Sequence, residues 1–291
     1  MGYSIRAKRE LEKAFSHHPS PITHHLPPQE AQEALMPRVI AVAGKGGVGK
    51  TTIGGMLVRY LVEKVKKGPV LAVDADPNSN LNEVLGVSVH ATIGEAREKL
   101  KEDVPTGMSK DSWLEYKVQE AVIEAKGFDL LVMGRPEGPG CYCAANSMAK
   151  KYIDALKGNY AFVVVDNEAG MEHMSRLVTQ DVDILYVISD PTPRGILTVS
   201  RILSIIGELG LHIRKTVVIV NRVSGKDGGM LEKAARQKGV AIGGIVRNDD
   251  DLVRADAEGK SVFELPPSSG SLVDAWAIFE GTMGPDGSAG L

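Results

Sequence analysis

Seven short runs of consecutive apolar, mostly β-branched residues constrain this chain more than any other feature. They are Val39–Ala43, Pro69–Val73, Leu130–Met133, Phe162–Val165, Ile184–Ile188, Val217–Val220 and Ile242–Val246. A strand that is apolar at every position, and not at alternate ones, needs cover on both faces of its sheet. The stretches between the runs carry helical spacing. Ile53, Leu57, Tyr60 and Leu61 form one stripe, and Ile196, Val199, Ile202, Leu203 and Ile206 form another. Gly210 follows the second stripe where a helix C-cap belongs. Alternating strand and helix implies right-handed crossovers. The expected fold is therefore α/β: a single doubly wound, mostly parallel sheet with helices on both faces.

The pattern begins near Arg38 and divides the 291 residues into three parts. Residues 1–36 form an extension in which Pro19, Pro21, Pro27 and Pro28 break regular structure. It holds His17, His18, His24 and His25, four of the seven histidines. The segment reads as a solvated arm, with metal storage by the His-rich tract as the alternative. Residues 37–281 form the α/β domain, and 282–291 a Gly-rich tail.

Lys plus Arg total 34 and Asp plus Glu total 37, a formal charge of −3, which gives no electrostatic reason to expect nucleic acid or an anionic membrane as partner. The start lacks the apolar stretch of a signal peptide, no run reaches transmembrane length, and the two cysteines are too close for a structural staple. A cytoplasmic location is expected.

Directly after the first strand comes Gly44-Lys45-Gly46-Gly47-Val48-Gly49-Lys50-Thr51-Thr52. It fits G-x-x-x-x-G-K-[ST] in the strand–loop–helix setting that pattern requires. The glycines let successive N–H groups of residues 46–52 face phosphate oxygens, and the helix start adds partial positive charge. Lys50 is expected on the β- and γ-phosphates of ATP and the Thr51 hydroxyl on Mg²⁺. Lys45 is a second lysine in the loop, and one triphosphate has little need of two. The run ending in Asp166 places a carboxylate at a strand end, a Walker-B arrangement for magnesium, and Asp74 and Asp76 follow the second strand.

Cys141 and Cys143 stand at i and i+2 after the Pro/Gly turn Gly134-Arg135-Pro136-Glu137-Gly138-Pro139-Gly140. Two thiols can share one ion, but a tetrahedral site wants four ligands, and a two-fold axis between subunits would supply them. Thiolates favour Zn²⁺, Cu⁺ or Ni²⁺ over hard cations. Packing cysteines and a redox pair are the alternatives.

The GKGGVGKTT form resembles the deviant P-loop of the MinD/ParA/nitrogenase-iron-protein ATPases. That resemblance implies a homodimer with ATP between its faces and Lys45 reaching the nucleotide of the second copy. It also implies that Asp76 orients the attacking water, with Asp74 as a magnesium or structural contact. Asn221 is implied as an adenine contact beside Arg222, both counted as nucleotide-binding. Arg247 stands where the resemblance leads one to expect a Pro-containing turn around the base.

With GRPEGPGCYC and Asp166-Asn167-Glu168-Ala169-Gly170-Met171-Glu172-His173, the chain is similar to the CooC-type ATPases that insert nickel during carbon monoxide dehydrogenase maturation. The similarity runs over about 38–265 and implies an ATPase metallochaperone. Its nucleotide- and metal-promoted homodimer would hold Ni²⁺ (Zn²⁺ in vitro) on Cys141 and Cys143 and pass it to carbon monoxide dehydrogenase. Maturation of acetyl-CoA synthase is a close variant. A MinD/ParA-like positioning ATPase acting on a membrane or DNA is the reading from a different class; it would want a basic amphipathic tail or a basic face, neither of which is evident, and has no use for the cysteines. An iron–sulfur electron-transfer protein would want widely separated cysteines.

Overall fold

The computed structural model describes residues 37–78, 80–99, 104–135, 157–168, 181–225 and 228–284, and the side chains of residues 97, 111, 114, 115 and 157 are outside that description. The arm 1–36, Cys141, Cys143, Ala169–His173 and the last seven residues therefore lie outside the described residues.

Eight strands form one sheet: β1 (Arg38–Gly44), β2 (Val70–Asp74), β3 (Ile123–Ala125), β4 (Phe128–Val132), β5 (Phe162–Asp166), β6 (Asp181–Ser189), β7 (His212–Val223) and β8 (Gly244–Arg247). Their order is β3-β4-β2-β5-β1-β6-β7-β8. All pairings are parallel except β3 with β4. The sheet is thus mixed but mostly parallel, and β1 lies inside it, as a strand carrying a phosphate loop must.

The described α-helices are α1 (Lys50–Tyr60), α2 (Leu81–Leu85), α3 (Ile93–Lys99), α4 (Lys110–Ala121), α5 (Pro193–Leu209), α6 (Gly228–Lys238), α7 (Asp250–Ala257) and α8 (Gly270–Met283). Side-chain alternation along β1 explains how both faces are covered. Ile40 and Val42 join a core with Ile53, Met56 and Leu57 of α1 and Leu272, Ala275 and Phe279 of α8. On the opposite face Val39 packs with Ile93 of α3 and Val118 of α4. Ala41 and Ala43 pack there with Ile196, Val199 and Ile202 of α5 and Leu231 of α6. Each buried Val, Ile or Leu contributes roughly 1.5–3 kcal/mol, so continuous apolar strands favour this two-faced arrangement.

Local chemistry agrees with the layers. At the start of α5, Thr192 Oγ1 accepts from Gly195 N at 3.0 Å and Pro193 takes the first turn. Gly210 closes that helix with φ 61, the left-handed conformation expected of a C-cap. Two features differ from the expectation. The edge strand β3 pairs antiparallel to β4 across Lys126-Gly127, and three residues reading Ile-Glu-Ala are too short to show a period. At the other end α8 runs through Met283, which is fully buried, two residues into the expected Gly-rich tail. Among the described residues no helix is long and apolar enough to cross a membrane.

Candidate functional site

The carboxyl ends of β1, β2, β5 and β7 meet around the loop 44–49. At Gly44 a Cβ would stand 2.4 Å from the Ile188 carbonyl oxygen on β6, so only glycine lets β1 turn there. Gly49 caps α1 with φ 90, and a Cβ would lie 2.4 Å from Asn221 Nδ2. These two close approaches are why the glycines are needed. Gly46 and Gly47 are exposed at the cleft and Val48 is buried beneath them.

Lys50 opens α1 and is 7% exposed, with its Nζ 3.4 Å from the Lys45 carbonyl oxygen. Burial lowers its pKa, while the charges of Asp166, Asp76 and Glu168 pull it back up. The Lys45 side chain is exposed to solvent. Far along the same helix Arg59 is buried and donates to Val262 O (2.6 Å) and Leu265 O (2.9 Å). That fastens the phosphate-loop helix to the turn 262–264, which forms one wall of the site.

Asp74 and Asp166 end β2 and β5 at matching register, and neither is more than 1% exposed. Burial raises the Asp166 pKa to about 7; the Thr51 hydroxyl, which donates to this carboxylate, lowers it and the Asp74 charge raises it. Its Oδ1 has no hydrogen-bond partner although it is buried. An unpartnered buried carboxylate oxygen beside a threonine hydroxyl is an oxygen donor set suited to a small hard cation, and Mg²⁺ fits it. Asp74 differs. Its Oδ1 accepts from Asp76 N (3.0 Å) and its Oδ2 from Leu81 N (2.9 Å), so it shapes the loop after β2. Burial raises its pKa to about 6, with those amides opposing the shift.

Asp76 lies in that loop and lines the cleft, its Oδ1 accepting from Asn78 N (2.8 Å) and Asn78 Nδ2 (3.1 Å). Asn78 Oδ1 in turn accepts from Arg135 Nη2, so a residue three positions past the end of β4 touches the Asp76 loop. Asn167 is buried and spends its amide on Val42 O at 3.0 Å.

Asn221 and Arg222 stand on the other side of the loop. Asn221 Nδ2 donates to Val48 O (2.9 Å), its Oδ1 accepts from Arg222 N (2.9 Å), and Arg222 Nη1 donates to Gly47 O (3.0 Å). Arg247 forms a two-point ion pair with Asp274, Nε to Oδ2 at 2.7 Å and Nη2 to Oδ1 at 2.6 Å. Near it, partial burial pushes the Asp249 pKa up, but hydrogen bonds from Ser269 and Ser271 outweigh burial and hold it at about 2.

A cleft of about 970 Å³ joins these pieces, lined by residues 46, 47 and 49–52, Asp76, Asn78, Asn221, Arg222, Arg247 and Asp249. Its far wall comes from Asn82, Glu83, Ser88, Lys260 and Ser261, which no motif in the sequence marks. Packing of α2 and the turn 262–264 on α1 brings that wall into place, and single-residue signals do not report it. Arg135 belongs to the GRPEGPGCYC motif, but only its contact with Asn78 gives its side chain a place in the site. Among the described residues no cluster of three or more His, Cys, Asp or Glu side chains is arranged to hold a metal ion.

Residues 39–262 match the model of the CobQ/CobB/MinD/ParA nucleotide binding domain. The chain belongs to that family. It is a P-loop ATP-binding protein of the MinD/ParA type, which the loop, the two buried carboxylates and the cleft describe in atoms. An uncharacterized ATP-binding protein of Methanocaldococcus jannaschii is 41% identical over 79% of this chain and 92% of its own length. The carbon monoxide dehydrogenase accessory protein CooC of Rhodospirillum rubrum is 31% identical over 79% of this chain and 90% of its own length. In fold, the chain is similar to the septum site-determining protein MinD of Pyrococcus horikoshii complexed with Mg-ADP. The TM-score is 0.65 at 23% identity, covering 88% of this chain and all of that one.

Proposed function

We propose that this family member is an ATP-hydrolysing metallochaperone that closes as a homodimer on ATP, holds Ni²⁺ on Cys141 and Cys143 of both copies, and releases it to a nickel enzyme. The client named by the resemblance is carbon monoxide dehydrogenase. The observation that carries the reading is the pair of cysteines six and eight residues after Arg135, which itself bonds to Asn78 of the Asp76 loop. Similarity to the Rhodospirillum rubrum carbon monoxide dehydrogenase accessory protein supports the same client.

In this reading the N–H groups of the loop and the Lys50 ammonium bind the β- and γ-phosphates. Thr51 and Asp166 would hold Mg²⁺, which when bound screens the phosphate charge. Asp76 orients a water whose oxygen bonds to the γ-phosphorus as the bond to the β–γ bridging oxygen breaks. Lys45 of one copy meets the charge building on the nucleotide of the other, so hydrolysis waits for dimer closure. Asn221 and Arg222 complete the cleft on the base side. Metal and nucleotide are coupled because both favour the closed dimer, and loss of the γ-phosphate removes one of the two.

The test is Ni²⁺ titration of wild type and a Cys141→Ser/Cys143→Ser variant, each with and without Mg-ATP. Expected is one Ni²⁺ per ATP-bound dimer for wild type. The variant should lose more than the roughly 10–100-fold that removal of a supporting group costs a metal site. Equal nickel affinity in the two proteins would remove the metal assignment and leave an ATPase with other cargo.

A further inference from the structure

Arg247 ends β8, Asn248 and Asp249 follow it, and each of the three is tied to another element. Arg247 N donates to Asp274 Oδ2 at 3.0 Å and Asn248 N to Val223 O at 2.9 Å. Asp249 Oδ2 accepts from Ser269 Oγ (2.5 Å) and Ser271 N (2.7 Å). Where the resemblance leads one to expect a proline, hydrogen bonds thus supply the stiffness that a ring would.

The Arg247 side chain is held as firmly as its backbone. Nε and Nη2 reach the two oxygens of Asp274 at 2.7 and 2.6 Å, which fixes the guanidinium in the plane of that carboxylate. Its stem crosses Gly270 at the start of α8, where a Cβ would stand 2.7 Å from Arg247 Cδ. The Asp274 side chain is 17% exposed and that of Arg247 61%, so a flat cation gripped by one edge lies open at the cleft.

Its place along the cleft says what meets it. Asp76 and Asp166 mark the γ-phosphate end, because magnesium and the attacking water belong there. In the strand order β2-β5-β1-β6-β7-β8, Arg247 lies on the far side of the phosphate loop from both carboxylates. A nucleotide whose phosphates fill the loop therefore directs its base toward the ends of β7 and β8. Paired with Asp274, Arg247 offers little net charge to a phosphate, yet a guanidinium face still stacks on an aromatic ring.

We propose that Arg247, held flat by Asp274, is the platform on which the nucleotide base stacks, with Asp274 as its positioning residue. This deepens the nucleotide-binding reading of the same site and rests on it. It adds to the expected contact from Asn221 and takes nothing from it. A stacking face does not read ring edges, so ATP and GTP should gain alike, UTP less through its smaller ring, and inorganic tripolyphosphate nothing.

The experiment measures competition of Mg-ATP, Mg-GTP, Mg-UTP and Mg-tripolyphosphate against a labelled ATP, for wild type, Arg247→Ala, Arg247→Lys and Asp274→Ala. Arg247→Ala should lose about three- to tenfold for ATP and GTP, the size of a partly exposed cation–π contact, and less than about twofold for tripolyphosphate. Arg247→Lys keeps the charge and one bond to Asp274 but loses the plane, so it should show the same selective loss even where Arg247→Ala folds poorly. Asp274→Ala frees the arginine and should remove part of the advantage of ATP over tripolyphosphate. A fall in tripolyphosphate affinity equal to the fall for ATP would make Arg247 a phosphate contact or a structural tie and overturn the proposal. Full retention of ATP affinity in Arg247→Lys would overturn it too, as would an ATP-to-UTP ratio that Arg247→Ala leaves unchanged. Wild type that binds none of the four removes the nucleotide site and the platform with it, whereas the other failures leave that site standing.

Discussion

Replacing Asp166 with Asn should stabilise the metal-free protein, and only at pH values where the carboxyl of the unfolded chain is ionised. Asp166 is 1% exposed, its Oδ1 has no partner, and Asp74 stands opposite on the neighbouring strand. Burial moves its pKa from 3.8 to about 7. Between those values the folded state keeps a proton that the unfolded chain has released, so stability falls as pH rises through the window. At about 1.4 kcal/mol per pH step, a climb of about 3 steps costs about 4 kcal/mol in full. Asparagine has the same shape and carries no charge, so Asp166→Asn recovers that cost. Lys50 loses an attractive neighbour in the exchange, which trims the expected gain to on the order of 2–4 kcal/mol at pH 8. At 2–4 °C per kcal/mol for a domain of this size, the midpoint should rise by roughly 4–16 °C. The assay is thermal unfolding of both proteins in chelator from pH 4 to pH 9. The curves should meet near pH 4 and separate steadily above pH 5. Adding Mg-ATP should narrow the gap by at least about 1.4 kcal/mol, since the variant loses at least about tenfold in magnesium-dependent affinity. A variant less stable than wild type at pH 8 in chelator, or a wild-type curve flat across the window, would refute the reasoning.

Two further substitutions separate the roles of the loop residues. In Gly49→Ala the new Cβ meets Asn221 Nδ2 at 2.4 Å and the backbone stays at φ 90, so stability should drop by about 1–3 kcal/mol and nucleotide affinity with it. Denaturant unfolding and ATP titration check this, and wild-type values in both would discard the contact. Lys50→Ala should abolish ATP binding by the single subunit. Lys45→Ala should leave that binding within about twofold, because the side chain is exposed in the isolated chain, while hydrolysis and ATP-driven dimerisation are lost. Fluorescent-nucleotide titration alongside light scattering tells these apart, and equal loss of binding in both lysine variants would sink the trans role.

How far the residues alone reach depends on the range of the interaction. The continuous runs around Ile40, Val73, Val164 and Tyr186 predict a sheet covered on both faces, because burial of every position leaves a local trace. The Thr192, Pro193 and Gly210 signals of α5 are local as well. The edge strand β3 leaves no such trace, since three residues hold only one and a half periods and its partner is what makes it a strand. In the site, Lys50, Thr51 and Asp166 are legible because phosphate chemistry imposes spacing on the chain. The type of residue at Asn221 is legible too, but its partner is not. That its amide reaches Val48 O is decided by a bulge in β7 and a glycine 172 positions earlier. The wall around Asn82, Ser88 and Lys260 depends on helix packing and has no signature in the chain.

The order of the central strands gives the proposed coupling its physical route. Reading across the sheet as β4-β2-β5-β1, the carboxyl ends deliver Arg135, then Asp74 with Asp76, then Asp166, then the phosphate loop. At about 4.8 Å per strand, Arg135 stands about 14 Å from the loop, with only two strands between them. Strands buried this fully do not slide, so a change at the γ-phosphate has to travel through the loops at their ends. Asp74 ties the start of the β2 loop to Leu81, and Asp76 ties its middle to Asn78. Asn78 is then joined to Arg135, from which the chain runs on to the two cysteines. If Asp76 shifts as the γ-phosphate leaves, Asn78 shifts with it, and the bond to Arg135 is the first contact strained. An Asn78→Ala protein should still hydrolyse ATP while Mg-ATP raises its nickel affinity less than it does in wild type, which nickel titration with and without nucleotide would read; a wild-type response would take this contact out of the route.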